Sequence, residues 1–111
     1  MFLTRDQILQ ANDLPREEVQ VPEWGGSIFV RSLTVGERLK LEEKSQTESG
    51  GHSVVRLITM AACDEHGVAL FEDSDIELLR GKSARAFLRV KEAANRLNAL
   101  TDRDLEDIEK N

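Results

Sequence analysis

Glu18-Val19-Gln20-Val21-Pro22-Glu23-Trp24-Gly25-Gly26-Ser27-Ile28-Phe29-Val30-Arg31-Ser32-Leu33 decides the fold. Residues 18–21 alternate polar and apolar with period two, and residues 27–33 are rich in β-branched and aromatic side chains. The Pro-Glu-Trp-Gly-Gly run between them is turn chemistry, so the stretch predicts a β-hairpin. Ile28 and Val30 share one face, and Phe29 and Arg31 share the other. Pro22 suits the end of a strand, because it cannot donate to a central ladder.

Helix signals surround this hairpin. Thr4-Arg5-Asp6-Gln7 has the form of a capping box, in which hydroxyl and amide side chains satisfy the unpaired N–H groups of a first turn. It opens a short helix over residues 1–11, stopped by Asn12-Asp13-Leu14-Pro15 because proline disfavours helical geometry at the preceding residue. Thr34-Val35-Gly36-Glu37 is a second box and opens a helix from 35 to about 47. Ser45 to Gly51 is small and polar, and its last part reads as a flexible loop. Ser53 is expected to cap a third helix, where Val54, Leu57, Ile58, Ala61 and Ala62 fit the spacing of a buried stripe.

Asp64-Glu65-His66-Gly67 reads as a turn and residues 68–71 as a short strand. Ser74-Asp75-Ile76-Glu77 is a third box, opening a short helix that Gly81 ends. The longest helix runs from Ser83 to about Asn98, with Ala84, Phe87, Leu88, Val90, Ala94 and Leu97 over one broad face. Lys82, Arg85, Arg89 and Arg96 form a narrow basic stripe opposite, while Lys91 lies among the apolar positions. Thr101 restarts a helical pattern carrying Leu105 and Ile108. The fold class is therefore α+β: an N-terminal hairpin, with 68–71 as candidate third strand of an antiparallel sheet, packed against several helices. The helices at 53–63 and 83–98 hold most of the core, in one domain spanning 1–111.

Composition narrows the function. The 111 residues are 40% hydrophobic and 32% charged, an ordinary globular balance. A net charge of -6 argues against wrapping nucleic acid or docking on an anionic membrane. The basic stripe is the exception, since residues 82–98 carry Lys82, Arg85, Arg89, Lys91 and Arg96 against Glu92 alone. It reads either as a dock for an acidic partner helix or a phosphate backbone, or as a solvated face neutralised by the acids after Thr101. Cys63 is the single cysteine, which excludes an intramolecular disulfide and suits a reducing compartment. Met1-Phe2-Leu3 meets Arg5 and Asp6 at once, so no signal-peptide core forms, and no apolar run is long enough to span a bilayer.

No catalytic, cofactor-binding or metal-binding set emerges. Cys63, His66, His52 and Asp64 give at most a zinc half-site, and zinc takes four ligands. Neither histidine nor the cysteine sits in a strand–turn–helix nucleophile setting. The paired glycines lack the Gly-Lys-Ser/Thr of a phosphate loop. The acidic clusters at 72–75 and 102–104 are those of helix first turns, favoured by the macrodipole. Trp24 at the hairpin tip is either a partner anchor or, as favoured here, a lid folded onto the core. Ile28, Leu39, Leu41 and Leu105 are apolar residues that no single core face claims, and they are candidates for partner contact.

The run Leu14-Pro15-Arg16-Glu17-Glu18-Val19-Gln20-Val21-Pro22-Glu23-Trp24-Gly25-Gly26, then Phe29-Val30-Arg31-Ser32-Leu33-Thr34 and Glu37-Arg38, resembles the opening of tail assembly chaperones of long-tailed bacteriophages and prophages. Cys63-Asp64-Glu65-His66-Gly67 leading to Leu70-Phe71 looks like the family's turn. Leu97-Asn98-Ala99-Leu100-Thr101 with Glu109-Lys110-Asn111 looks like its C-terminal end. The resemblance implies a non-enzymatic assembly factor in the cytoplasm of the bacterial host, absent from the mature virion. Its implied partners are the tape-measure protein, which it keeps soluble, and the major tail protein, with self-association a further candidate. Partner-binding candidates are then Trp24, Ile28, Leu39, Leu41, Arg85, Arg89, Arg96 and Leu105. The rival readings are a small nucleic-acid- or protein-binding regulator using the basic face of helix 83–98, and a structural virion component.

Overall fold

The computed structural model describes residues 1–48 and 51–98. The hairpin forms as the alternation dictates: strand β1 (Arg16–Val21) pairs antiparallel with strand β2 (Gly26–Arg31), Val19 opposite Ile28 and Glu17 opposite Val30. A 3-10 turn over Pro22–Trp24 connects them, with Pro22 in its first turn, where a missing N–H does no harm. Gly25 closes the turn at φ 78°, a left-handed conformation that glycine adopts without penalty.

The third strand of the sheet is β3 (Ala62–Cys63), antiparallel to β2, giving the order β1-β2-β3. This relocates the strand expected at 68–71. Residues 68–71 supply only an isolated bridge, Ala69 to Cys63. The turn between is held by Asp64, whose Oδ1 accepts from the N–H groups of His66 (2.8 Å) and Val68 (3.0 Å).

Among the described residues five helices join the sheet: α1 (Arg5–Gln10), α2 (Val35–Ser45), α3 (His52–Ala61), α4 (Ile76–Leu79) and α5 (Ala84–Leu97), and the helix expected after Thr101 lies outside them. Both boxes read at Thr4 and Thr34 are formed, and Ser83 caps α5 through the Ala86 N–H. Two expectations fail. The cap of α3 is Gly51, not Ser53, which lies buried within the first turn. The box near α4 is Glu72 with Asp75, on a 3-10 turn (Asp73–Asp75) that precedes the helix, not Ser74 with Glu77.

The core sits where α5 packs against β1 and β2 and where α3 packs against α2, α4 and α5. Val21, Val30, Leu41, Leu57, Ile58, Val90 and Ala94 are among its fully enclosed side chains. In α5 the buried positions are Ala86, Val90, Ala93 and Ala94, with Phe87 and Leu97 partly buried. Ala84 and Leu88, expected on that face, stay exposed.

Helix α3 is buried almost all round, including Arg56. The Arg56 guanidinium donates to both carboxylate oxygens of Glu48 (2.8 and 3.0 Å) and to Asp73 (3.3 Å), and this explains its place inside. Arg31, at the end of β2, makes a second internal clamp. It grips both oxygens of Glu37 at 2.8 and 2.7 Å, while Glu37 Oε1 also accepts the Thr34 N–H. Glu37, which completes the capping box of α2, thus also fastens that helix to the sheet. Among the described residues no helix is long and apolar enough to cross a membrane.

Candidate partner-binding surface

The basic stripe on α5 divides in two. Arg89 donates from Nε and Nη2 to Glu23 of the hairpin turn (3.0 and 3.2 Å), and Arg96 Nη2 donates to Glu17 of β1 at 2.6 Å. The Arg89 hydrogen bond holds the Glu23 carboxyl below its ordinary value, with a weaker pull from Arg85. These two arginines therefore stitch the helix to the hairpin. The expected neutralisation by acids after Thr101 falls outside the described residues. At the other end of the stripe, Lys82 and Arg85 are exposed, and among the described residues neither meets a carboxylate within ion-pair distance.

Trp24 closes the turn beside Glu23, where the turn contacts α5. At 36% exposure it stands among the exposed large apolar side chains and outside the core cluster, against the lid expected of it. Ile28 is half-buried and packs against the core from β2. The two leucines of α2 part company. Leu41 is fully buried and belongs to the core, so it offers no surface for a partner. Leu39 is 59% exposed. Leu105 lies outside the described residues.

Two of the grooves formed by the described residues have mostly apolar walls. The first, of about 390 Å³, is lined by Leu33, Val35, Leu39 and Leu97, between the start of α2 and the end of α5. Asn98 pins these elements together: its Oδ1 accepts the Leu33 N–H at 2.6 Å and its Nδ2 donates to the Ala94 carbonyl at 2.8 Å. The second, of about 510 Å³, has Val54, Val55, Leu79, Ala84 and Phe87 on its walls and Arg80 and Lys82 at its edge. Elsewhere, Phe2, Leu3, Ile8 and Leu9 are all exposed, and no residue of α1 is buried.

The residues weighed for other chemistry are scattered. Cys63 is buried in β3, and that burial raises its thiol pKa, which makes the sulfur a weak nucleophile. His66 sits exposed on the turn, near Glu65, whereas His52 starts α3 and contacts Glu77 at 2.7 Å. Among the described residues no three His, Cys, Asp or Glu side chains converge as a metal site. Sequence reasoning missed both guanidinium clamps, Arg31–Glu37 and Arg56–Glu48–Asp73. The i, i+3 pairing of Thr34 with Glu37 was visible, but nothing local announces a third partner.

The fold is similar to the solved structure of the bacteriophage HK97 tail assembly chaperone, with a TM-score of 0.61 and 21% sequence identity, covering 81% of this chain and 89% of that one. No family model and no curated protein matches the sequence. At that identity the likeness is one of fold.

Proposed function

We propose that this chain is a tail assembly chaperone of a long-tailed bacteriophage or prophage. In this reading it binds the tape-measure protein, keeps that long helical chain soluble and helps recruit the major tail protein, with no bond made or broken. The observation that carries it is the shared fold, which spans most of both chains. The exposed apolar side chains support it. A holding protein needs contacts that its own core does not consume, and Val35, Leu39, Leu78 and Leu88 meet that need. The net charge of -6 supports it too, because repulsion between complexes keeps a coated client dispersed.

The place of action is then the host cytoplasm, with the chain acting as one unit and leaving before the virion is complete. Trp24, Leu39 and Arg85 are the surface residues proposed to touch partners, with self-association through the exposed N-terminal segment as a further contact. The rival reading, a regulator that grips a phosphate backbone with the basic stripe, loses support from the pairing of Arg89 and Arg96 with Glu23 and Glu17.

Co-expression with a fragment of the tape-measure protein tests the proposal. The fragment is expected in the soluble fraction with this chain present and in the pellet without it. Equal precipitation in both cases sinks the chaperone role, and recovery of the chain in purified particles sinks its departure from the virion.

A further inference from the structure

Helix α1 buries no residue, although its sequence is fully equipped for a helix. Six residues are too few to hold themselves helical in water, where isolated helices need roughly 12–15. Thr4 and Gln7 nevertheless close a capping box, and Leu3 and Ile8 occupy the N′ and N4 positions of a hydrophobic staple. Asp6, Gln7 and Gln10 share one side of the helix, which leaves Ile8 and Leu9 on the other. Arg5 pairs with Asp6 at 3.3 Å, so the helix itself carries no net charge. Such an element is built to lie on a neutral, apolar surface.

A surface of that kind begins at the root of the arm. The Pro15 carbonyl accepts the Ser32 N–H at 3.1 Å, and Ser32 and Leu33 open the groove that Val35, Leu39 and Leu97 complete. Val35 and Leu39 stand at i and i+4 on α2, and both are exposed. Arg38, the charged residue of this groove, is already paired with Glu42 at 3.2 Å. Its polar groups are engaged too, since Thr34 Oγ1 accepts the Glu37 N–H and Asn98 bonds both Leu33 and Ala94. An apolar cover would therefore strand no unpaired charge. Ala11 to Leu14 join α1 to Pro15, and four residues extend about 14 Å. No hydrogen bond among the described residues fixes residues 12–14. A tether this short holds the arm near the groove at an effective concentration on the order of millimolar.

We infer that α1 is a strap that closes over the groove between the start of α2 and the end of α5 of its own chain, with Ile8 and Leu9 covering Val35 and Leu39. The structure holds the strap open. Its purpose rests on the chaperone reading: closed, the strap hides two apolar surfaces of an idle chain, and open, it yields the groove to a client helix. A weak contact suffices, because the tether supplies the concentration, and weakness lets a client displace the strap.

The test uses the full chain, isotope-labelled at its isoleucine, leucine and valine methyl groups. Nuclear Overhauser cross-peaks from Ile8 to Val35 or Leu39 are expected, and they should persist on dilution. In a mixture of labelled and unlabelled copies, cross-peaks that arise only between copies would place the arm of a second chain in the groove and overturn the strap. Contacts of Leu39 with Leu105 or Ile108 in place of Ile8, or no cross-peak at all, overturn it as well. A neutral amphipathic peptide of about 20 residues, built from Leu, Ala and Gln, probes the competition. Ile8→Ser with Leu9→Ser, both at exposed positions, should bind it about threefold or more tightly than the wild type, as a groove covered two-thirds of the time requires. Adding Leu39→Ser should cancel that gain. Unchanged or weaker binding by the arm variant, or no binding by any variant, counts against the strap. The cross-peaks need no client, which separates this inference from the reading beneath it. Cross-peaks present while a tape-measure fragment precipitates beside the wild type leave the strap standing without the chaperone role. Cross-peaks absent with the fragment soluble leave the chaperone role without the strap.

Discussion

Arg56 is the residue on which the helical half of the molecule is hung. Its side chain is buried on α3, and a guanidinium cannot shed its charge at any accessible pH. It must therefore be paired where it stands. Glu48 pairs through two oxygens and is 28% exposed, while Asp73 offers one bond at 3.3 Å and is 42% exposed. Glu48→Gln is expected to destabilise the fold by about 2 kcal/mol, because it strips the bidentate partner from a buried cation. Asp73→Asn should cost less than about 1 kcal/mol, in the range of exposed pairs. Urea unfolding of the two variants checks the order, and equal losses would remove Glu48 as the principal partner. None of this was legible in the sequence, since Arg56 occupies an ordinary polar gap in the 53–63 stripe. Burial of that gap is decided by the elements packed on α3, and a helical period registers only the helix's own faces.

At the scale of elements, α2 tests how the structure sorts similar residues. Leu39 and Leu41 are two positions apart, so they point in different directions, and the sequence left both as surface candidates. The structure encloses Leu41 and exposes Leu39. Leu41→Ala is expected to cost about 2–5 kcal/mol, the range for truncating a fully buried leucine. Leu39→Ala should change stability by no more than about 0.5 kcal/mol, as surface substitutions do. Thermal or urea denaturation decides between them, and a large loss for Leu39→Ala would place it in the core. The helices opened by Thr4, Thr34 and Ser83 were readable because a cap is a local hydrogen-bonding event. The hairpin was readable because alternation and turn residues are also local. The third strand was not. Ala61 and Ala62 continue the apolar spacing of α3, yet the chain leaves helical geometry at Ala62 (φ -69°, ψ 126°) and pairs with β2. A two-residue strand has no period of its own, so only the neighbouring strand reveals it. The candidate site was legible in kind but not in place. Patterning announced surplus apolar residues and a basic stripe, while tertiary packing decided which of them face outward.

At the scale of the whole molecule, acid acts twice, through charge and through stability, and the two effects separate in pH. Net charge falls to zero near the isoelectric point of about 4.9. Repulsion between copies vanishes there while Phe2, Leu3, Leu39 and Leu88 still face solvent, so association is favoured. Stability depends on a different set of groups. The Arg89 hydrogen bond lowers the Glu23 pKa, Arg56 lowers that of Glu48, backbone N–H groups lower that of Asp64, and His52 lowers that of Glu77. For Glu37, burial pushes the pKa up, but the Arg31 fork and the Thr34 N–H together hold it down. All five carboxylates therefore bind protons less readily in the folded chain than in the unfolded one, so stability rises with pH through their titration. Their contribution is fully present above the ordinary glutamate value of 4.5 and is lost as pH falls through the lower folded values. Acidification should thus raise light scattering first, near the isoelectric point, with native far-UV circular dichroism. Loss of the dichroism signal should follow only below about pH 4, the ordinary carboxylate range. Collapse of the signal at or above pH 5 would show that groups other than these carboxylates set the acid limit of the fold.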